Sequence, residues 1–286
     1  MDNIREHFNL SEKKIYRQNE LSLLFTNKRE EWSLPPSISL AKFVENLVAE
    51  TGLQKIIFEF PHRRETRYVW GDVSEFDIIL SLKKGSYLSH QTATYLHGLI
   101  EGPLENIFVN FEQSRRIQKG DLTQEAIDRA FQRPVRVTRN KCEYNDKTIW
   151  QINGMYTDKF GVIEIIGRNG EDIYVTNLAR TLVDLAVRPV YGGGVSNVFS
   201  AYQKAKGKVT ADELAKTLKG MGHIYPYHQV VGFYLEKAGG VEEKSLDKLR
   251  EMPMSFDFYL AHQMHETAYS KKWRLHYPVE LKMEIE

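Results

Sequence analysis

Cysteine is almost missing from this chain: Cys142 is the only one in 286 residues. One thiol excludes an intramolecular disulfide framework and any multi-cysteine zinc or iron–sulfur centre, and it suits a reducing compartment. Long apolar runs are missing as well, since no stretch approaches the roughly 18–20 residues of a membrane span. The opening Met1–Glu6 has neither the basic region nor the apolar run of a signal peptide. The expectation is a soluble, cytoplasmic protein with no membrane partner. Charge of one sign is also not in excess: 39 Lys and Arg stand against 38 Asp and Glu, net +1. Any surface meeting a polyanion must therefore be local. There is no internal repeat and no low-complexity tract.

What is present is ordinary globular composition, 42% hydrophobic and 27% charged, in a chain long enough for two domains. Asn19 is placed to cap a helix running to about Trp32, in which Leu21, Leu24 and Phe25 recur at helical spacing. Leu34-Pro35-Pro36 stops it, because proline lacks an amide hydrogen and forces its predecessor extended. Ser37 or Ser39 caps a second helix, 40–50, with an apolar stripe of Leu40, Phe43, Val44, Leu47 and Val48 and with Gly52 just past its end. Two strand-like runs follow, 54–60 and 66–70, joined by the polar tip Pro61-His62-Arg63-Arg64-Glu65. Helix, turn, helix and hairpin is the order of a winged helix-turn-helix. The spacing predicts such a domain over 1–72, followed by a larger mixed α/β domain over 73–286 with a helical C-terminal half. Strands clustered ahead of helices make the whole an α+β fold.

In a winged helix the second helix enters the major groove and the wing meets the backbone. The polar face of helix 40–50 carries Ser39, Lys42 and Asn46; lysine donates to guanine or phosphate, and asparagine pairs with adenine. His62, Arg63, Arg64 and Arg67 are the wing's phosphate or minor-groove contacts. The alternative is a solvated helix face and a charged hairpin, for which Glu45, Glu50 and Glu65 speak. Residues 111–141 hold eight positive and four negative side chains. Arg115, Arg116, Lys119, Arg133, Arg136 and Arg139 could widen a phosphate footprint or bind an acidic or RNA partner. That leaves a protein- or RNA-binding module as a rival reading.

Several longer segments resemble the AbiEi family of antitoxin regulators from bacterial type IV toxin–antitoxin and phage abortive-infection systems. They are Trp32-Ser-Leu-Pro-Pro36, Tyr68-Val-Trp-Gly71, Lys84 to Leu99 with its Ser89-His-Gln-Thr-Ala93 core, Val175 to Ala186 with Ala179-Arg-Thr-Leu-Val-Asp184, and Tyr225 to Glu236. The resemblance implies a repressor that binds duplex operator repeats of its own operon. It further implies a C-terminal domain that counters a nucleotidyltransferase-type toxin without a stable complex. An extended preamble, Met1 to Tyr16, departs from the pattern.

Enzyme-like patterns are weaker. Ser89 reads as a helix N-cap rather than a nucleophile activated by His90, because adjacent residues rarely point at each other and no orienting acid is evident. Arg180 and Asp184 are four apart and read as an intrahelical ion pair. His262, His265 and Glu266 lack the order of zinc peptidases. Glu280-Leu-Lys282 has the spacing of metal-dependent nucleases, with both side chains on one strand face and Asp257 as the upstream acid. Tyr191-Gly-Gly-Gly194 is a turn, not a phosphate loop. His228 is a pocket residue, and the aromatics beyond 225 are core. No catalytic residue, metal or cofactor is expected.

Overall fold

The computed structural model describes residues 2–115, 121–167 and 170–281. The chain opens with helix α1 (Asp2–Leu10), strand β1 (Ile15–Tyr16), helix α2 (Gln18–Asn27) and helix α3 (Leu40–Glu50), followed by strands β2 (Gln54–Phe60) and β3 (Arg63–Val69). The polar preamble is thus a helix and a strand. Its only apolar anchors, Ile4 and Phe8, lie one turn apart and are buried, with Phe8 stacked on Trp70 at 4.9 Å. Two anchors in nine residues form a helix only because that distant tryptophan receives them. Helix α2 begins one residue before the expected cap: Arg17 is the N-cap, and its amide donates to Glu20 Oε2 at 2.7 Å. It ends at Asn27, five residues short of Trp32. The Arg29 guanidinium then binds the Pro35 and Pro36 carbonyls at 2.8 and 2.7 Å and holds the proline turn.

Helix α3 has its expected bounds. Ser39 Oγ accepts the Lys42 amide at 3.2 Å, and Phe43, Val44 and Leu47 face inward. Strands pair in the order β1-β3-β2, all antiparallel. Phe60 pairs with Arg63, so the hairpin turn is only Pro61-His62, and the arginines stand on a strand instead of at a tip.

After an irregular stretch at 71–74 come α4 (Glu75–Leu80), β4 (Tyr87–Leu88), α5 (His90–Leu96), β5 (Asn106–Glu112), α6 (Gln124–Phe131), β6 (Lys141–Tyr144), β7 (Lys147–Gly154), β8 (Val162–Ile166) and β9 (Asp172–Thr176). Strands β4 to β9 form one six-stranded mixed sheet, order β6-β7-β5-β4-β9-β8, in which β5 and β7 are parallel, as are β4 and β9. Residues 135–137, an apolar run that reads as a strand in the sequence, are irregular. The helices α7 (Leu178–Val187), α8 (Val195–Lys204), α9 (Ala211–Met221), α10 (Tyr227–Ala238) and α11 (Asp247–Arg250) build the largest apolar cluster.

The chain's last part is not helical throughout. Strands β10 (Phe258–Tyr259), β11 (Thr267–Ser270) and β12 (Leu275–Pro278) form a small sheet in the order β10-β12-β11. Gln229 of α10 fastens it by donating to the carbonyls of Trp273 and Arg274 at 2.7 and 3.0 Å. Trp273 lies so close to α10 that a Cβ at Gly232 would stand 2.2 Å from its ring, so only glycine fits there. The fold is mixed α/β. Among the described residues, no helix is long and apolar enough to cross a membrane.

The two parts share a core. Phe58, Phe60 and Val69 of the hairpin belong to the same apolar cluster as Ile78, Ile79, Ile107 and Val175. The hairpin is therefore packed on both faces: Tyr68 faces the first unit, and its neighbours face the second.

Candidate nucleic-acid interface and a polar cleft

Strand alternation decides what the arginines can do. Arg63, Glu65 and Arg67 share the face of β3 that meets the larger unit; Arg64 is on the other face. Arg67 is only 4% exposed. Its guanidinium donates to the Ser81 and Leu82 carbonyls at 2.9 and 3.0 Å and pairs with Glu65 at 3.1 Å. Burial draws its pKa down, opposed by Glu65. Arg67 is thus a structural cation and not a DNA contact. Arg63, its side chain still 41% exposed, donates to Asn140 at 2.8 Å, to Gln151 at 2.5 Å and to Glu65 at 2.7 Å, tying the hairpin to β7. Both were expected as free wing contacts, Arg63 at the polar tip and Arg67 on the strand after it; the shared core covers Arg67, and Asn140 and Gln151 engage Arg63.

The remaining cations stay outside. Arg64 is exposed beside Glu59 at 2.6 Å, and His62 is exposed in the turn. On α3, Ser39 and Lys42 are exposed and Asn46 is half-buried. Lys42 Nζ lies 3.4 Å from Glu45 Oε2, a loose pair between two exposed side chains. Such a pair is worth about 0–1 kcal/mol, so a phosphate can compete for the lysine. Of the basic stretch, Arg115, Arg133, Arg136 and Arg139 are exposed, while Arg116 and Lys119 lie outside the described residues.

The second unit contains a cleft of about 510 Å³. Segments far apart in sequence line it, among them His90 of α5, Arg180 and Asp184 of α7, and Tyr225 and Tyr227 around the start of α10. These are the segments singled out above. The Arg180–Asp184 pair has the expected spacing, with Nε 2.9 Å from Oδ1, but it is buried. Arg180 also donates to the Phe160 carbonyl at 2.6 Å and to Thr157 Oγ1 at 3.1 Å. Beneath it, Tyr87 donates to Glu112 at 3.2 Å, and Glu112 accepts the Thr157 amide at 2.9 Å. Those bonds hold the Glu112 carboxyl below the usual range although burial opposes them.

Tyr87 has one hydroxyl proton and gives it to Glu112, so it must accept from Asn110 Nδ2 at 2.6 Å. That fixes the amide and leaves Asn110 Oδ1 without a partner. Gly154 makes room for this amide, since a Cβ there would stand 2.5 Å from Oδ1. Asp184 Oδ2 and His223 Nε2 are unpartnered too. Burial pushes His90 and His223 down to about 4, with Asp184 opposing and Arg180 and Arg188 adding to the shift. Both rings are neutral at pH 7.

Ser89 corrects one expectation. It occupies the N-cap position without a capping bond, and its Oγ lies 2.8 Å from His90 Nδ1. His90 adopts a left-handed φ of 51°, which turns the ring back onto its neighbour. Ser89 has no exposed surface, and His90 stands between it and the cleft. His262 stacks on Phe131 at 4.4 Å, and the described residues hold no group of three metal-ligating side chains. Glu280 stands in a helical turn after β12, not on a strand, and Lys282 lies outside the described residues. Asp257, the proposed upstream acid, is engaged by Arg274 at 3.0 Å and Tyr269 at 2.6 Å. His228 is 5% exposed and pushed by burial to about 4; the aromatics beyond 225 are mostly core.

Asn110, Thr157 and His223 were not among the expected site residues. The signal for the first was a lone asparagine within the apolar run Ile107-Phe-Val-Asn-Phe111. A buried strand tolerates such a residue only where its amide is bonded.

The architecture defines a mixed α/β protein with a small three-stranded unit packed on a larger one. No family model matches the chain, and no curated protein matches it in sequence. Among solved structures it is similar to the crystal structure of the RV2827C protein from Mycobacterium tuberculosis: TM-score 0.60, 12% identity, 99% of this chain and 94% of that one covered. At that identity the likeness concerns the fold, and it runs through both units.

Proposed function

We propose that the protein is a DNA-binding transcriptional regulator with antitoxin character, and that α3 is its groove-reading helix. The observation that carries this reading is the element order helix, strand, helix, helix, hairpin, with strands paired β1-β3-β2. That order supports reading 1–72 as a winged helix, with a first helix and strand that the sequence pattern did not reveal. The capped start of α3, with Ser39 and Lys42 exposed, supports it, because groove-reading helices contact bases near their N-terminus. The interface comprises Ser39, Lys42 and Asn46 of α3 together with His62 and Arg64 of the hairpin; Arg63 and Arg67, engaged within the protein, are left out. Double-stranded operator DNA is the partner.

The antitoxin part rests on the resemblance of the segments around Ser89, Arg180 and Tyr225, and their convergence on one cleft supports treating them as a unit. A nucleotidyltransferase-type toxin is the proposed antagonist. The test is a gel shift of the full chain on duplex from upstream of its own coding region. Binding that weakens in Lys42→Ala and Arg64→Ala, with unchanged thermal midpoints, is expected. Equal binding by wild type and both variants would remove α3 and the hairpin from the interface.

A further inference from the structure

Three features of the cleft in the larger unit act together. First, its walls carry polar groups without partners among the described residues: Asn110 Oδ1 and Asp184 Oδ2, on residues 3% and 6% exposed overall. Both atoms are acceptors, and the bond chain through Tyr87 to Glu112 prevents the Asn110 amide from turning to offer a donor. Leaving such groups unpaired costs free energy that a ligand bearing N–H donors would offset. Second, aromatic rings line the cavity, among them Tyr191, Tyr225 and Tyr227. Flat rings favour a flat ligand. Third, Arg136 is exposed and Arg188 half-buried, so both stand toward the rim, and neither forms an ion pair among the described residues. Asp184 is the only acid among the described residues of the lining, and Arg180 already balances it. The cleft is therefore cationic at its rim and acceptor-rich in its depth.

We propose that this cleft binds a single nucleotide, its base among the tyrosines with N–H donors toward Asn110 and Asp184, and its phosphate on Arg136 and Arg188. A cavity of about 510 Å³ falls within the range of small-ligand sites. A free mononucleotide and the 5′-terminal nucleotide of a single strand present the same chemistry. The site is separate from α3, so it stands or falls apart from duplex binding.

Isothermal titration of the full chain with AMP, GMP, CMP, UMP, ribose 5-phosphate and inorganic phosphate tests the assignment. A 5′-phosphorylated single-stranded tetranucleotide, run alongside, distinguishes a free ligand from a strand end. At least one nucleotide or the tetranucleotide should bind about tenfold or more tighter than ribose 5-phosphate and phosphate. Arg136→Glu should weaken that binding by about tenfold or more with an unchanged thermal midpoint. Arg188→Gln serves the same purpose should the charge reversal perturb folding. The proposal is overturned by no binding of any nucleotide or the tetranucleotide at about 1 mM. Equal binding of ribose 5-phosphate, or equal binding by the folded rim variants, overturns it as well.

Discussion

Two helical ion pairs, one in each unit, have the same chemistry and opposite roles. Lys42 and Glu45 on α3 stand 3.4 Å apart with side chains 63% and 68% exposed. Arg180 and Asp184 on α7 stand 2.9 Å apart with side chains 3% and 9% exposed. The first is screened and exchangeable, so its lysine is available to a phosphate. The second is desolvated and held by further bonds, so its charges shape a cavity rather than a surface. The same contrast recurs along β3, where Arg64 is outside and Arg67, three residues on, is inside. Spacing identifies a pair; burial decides what it does.

The contrast can be broken at the inner pair first. Arg180→Met strands the Asp184 carboxylate and should cost about 3–5 kcal/mol in urea unfolding. Arg67→Ala removes a charged donor from the Ser81 and Leu82 carbonyls, the second of them buried, and should cost about 2–3 kcal/mol, whereas Arg64→Ala should change stability by less than about 0.5 kcal/mol. Similar losses for the two arginines would contradict the two-faced hairpin. Gly154→Ala drives a methyl into the Asn110 amide and should cost about 1–3 kcal/mol.

Acid sharpens the picture further. His90 and His223 titrate near 6.5 when unfolded and near 4 when folded, so the unfolded chain binds more protons between those values. Stability is fully present above about pH 6.5 and is lost as pH falls toward 4, by about 1–2 kcal/mol per histidine at pH 5. His90→Asn, which tolerates the left-handed backbone, should flatten this slope between pH 7 and 5. An unchanged slope would mean that the His90 ring is not held neutral.

Much of the fold was legible. The bounds of α3 follow from apolar periodicity and a capping serine, because the helix buries one continuous stripe, and the runs 178–187 and 227–238 read as helices at the bounds of α7 and α10. Helix α1 was not legible, since its anchors matter only once Trp70 is beside them. Nor was the fate of Arg63 and Arg67: alternation puts them on one face, but only the tertiary fold shows that Arg67 is buried there and that Arg63 bonds to Asn140 and Gln151. The C-terminal sheet escaped notice because its strands are four residues or fewer and depend on Gln229. Of the cleft, the segments were legible and their convergence was not.

The most direct test of the DNA-reading assignment is the salt dependence of duplex binding by the full chain, compared with Lys42→Ala by fluorescence anisotropy. The account predicts weaker binding for the variant and a log–log slope shallower by about 0.9, the signature of one lost phosphate contact. A variant that binds the same duplex with the affinity and slope of the wild type would contradict it.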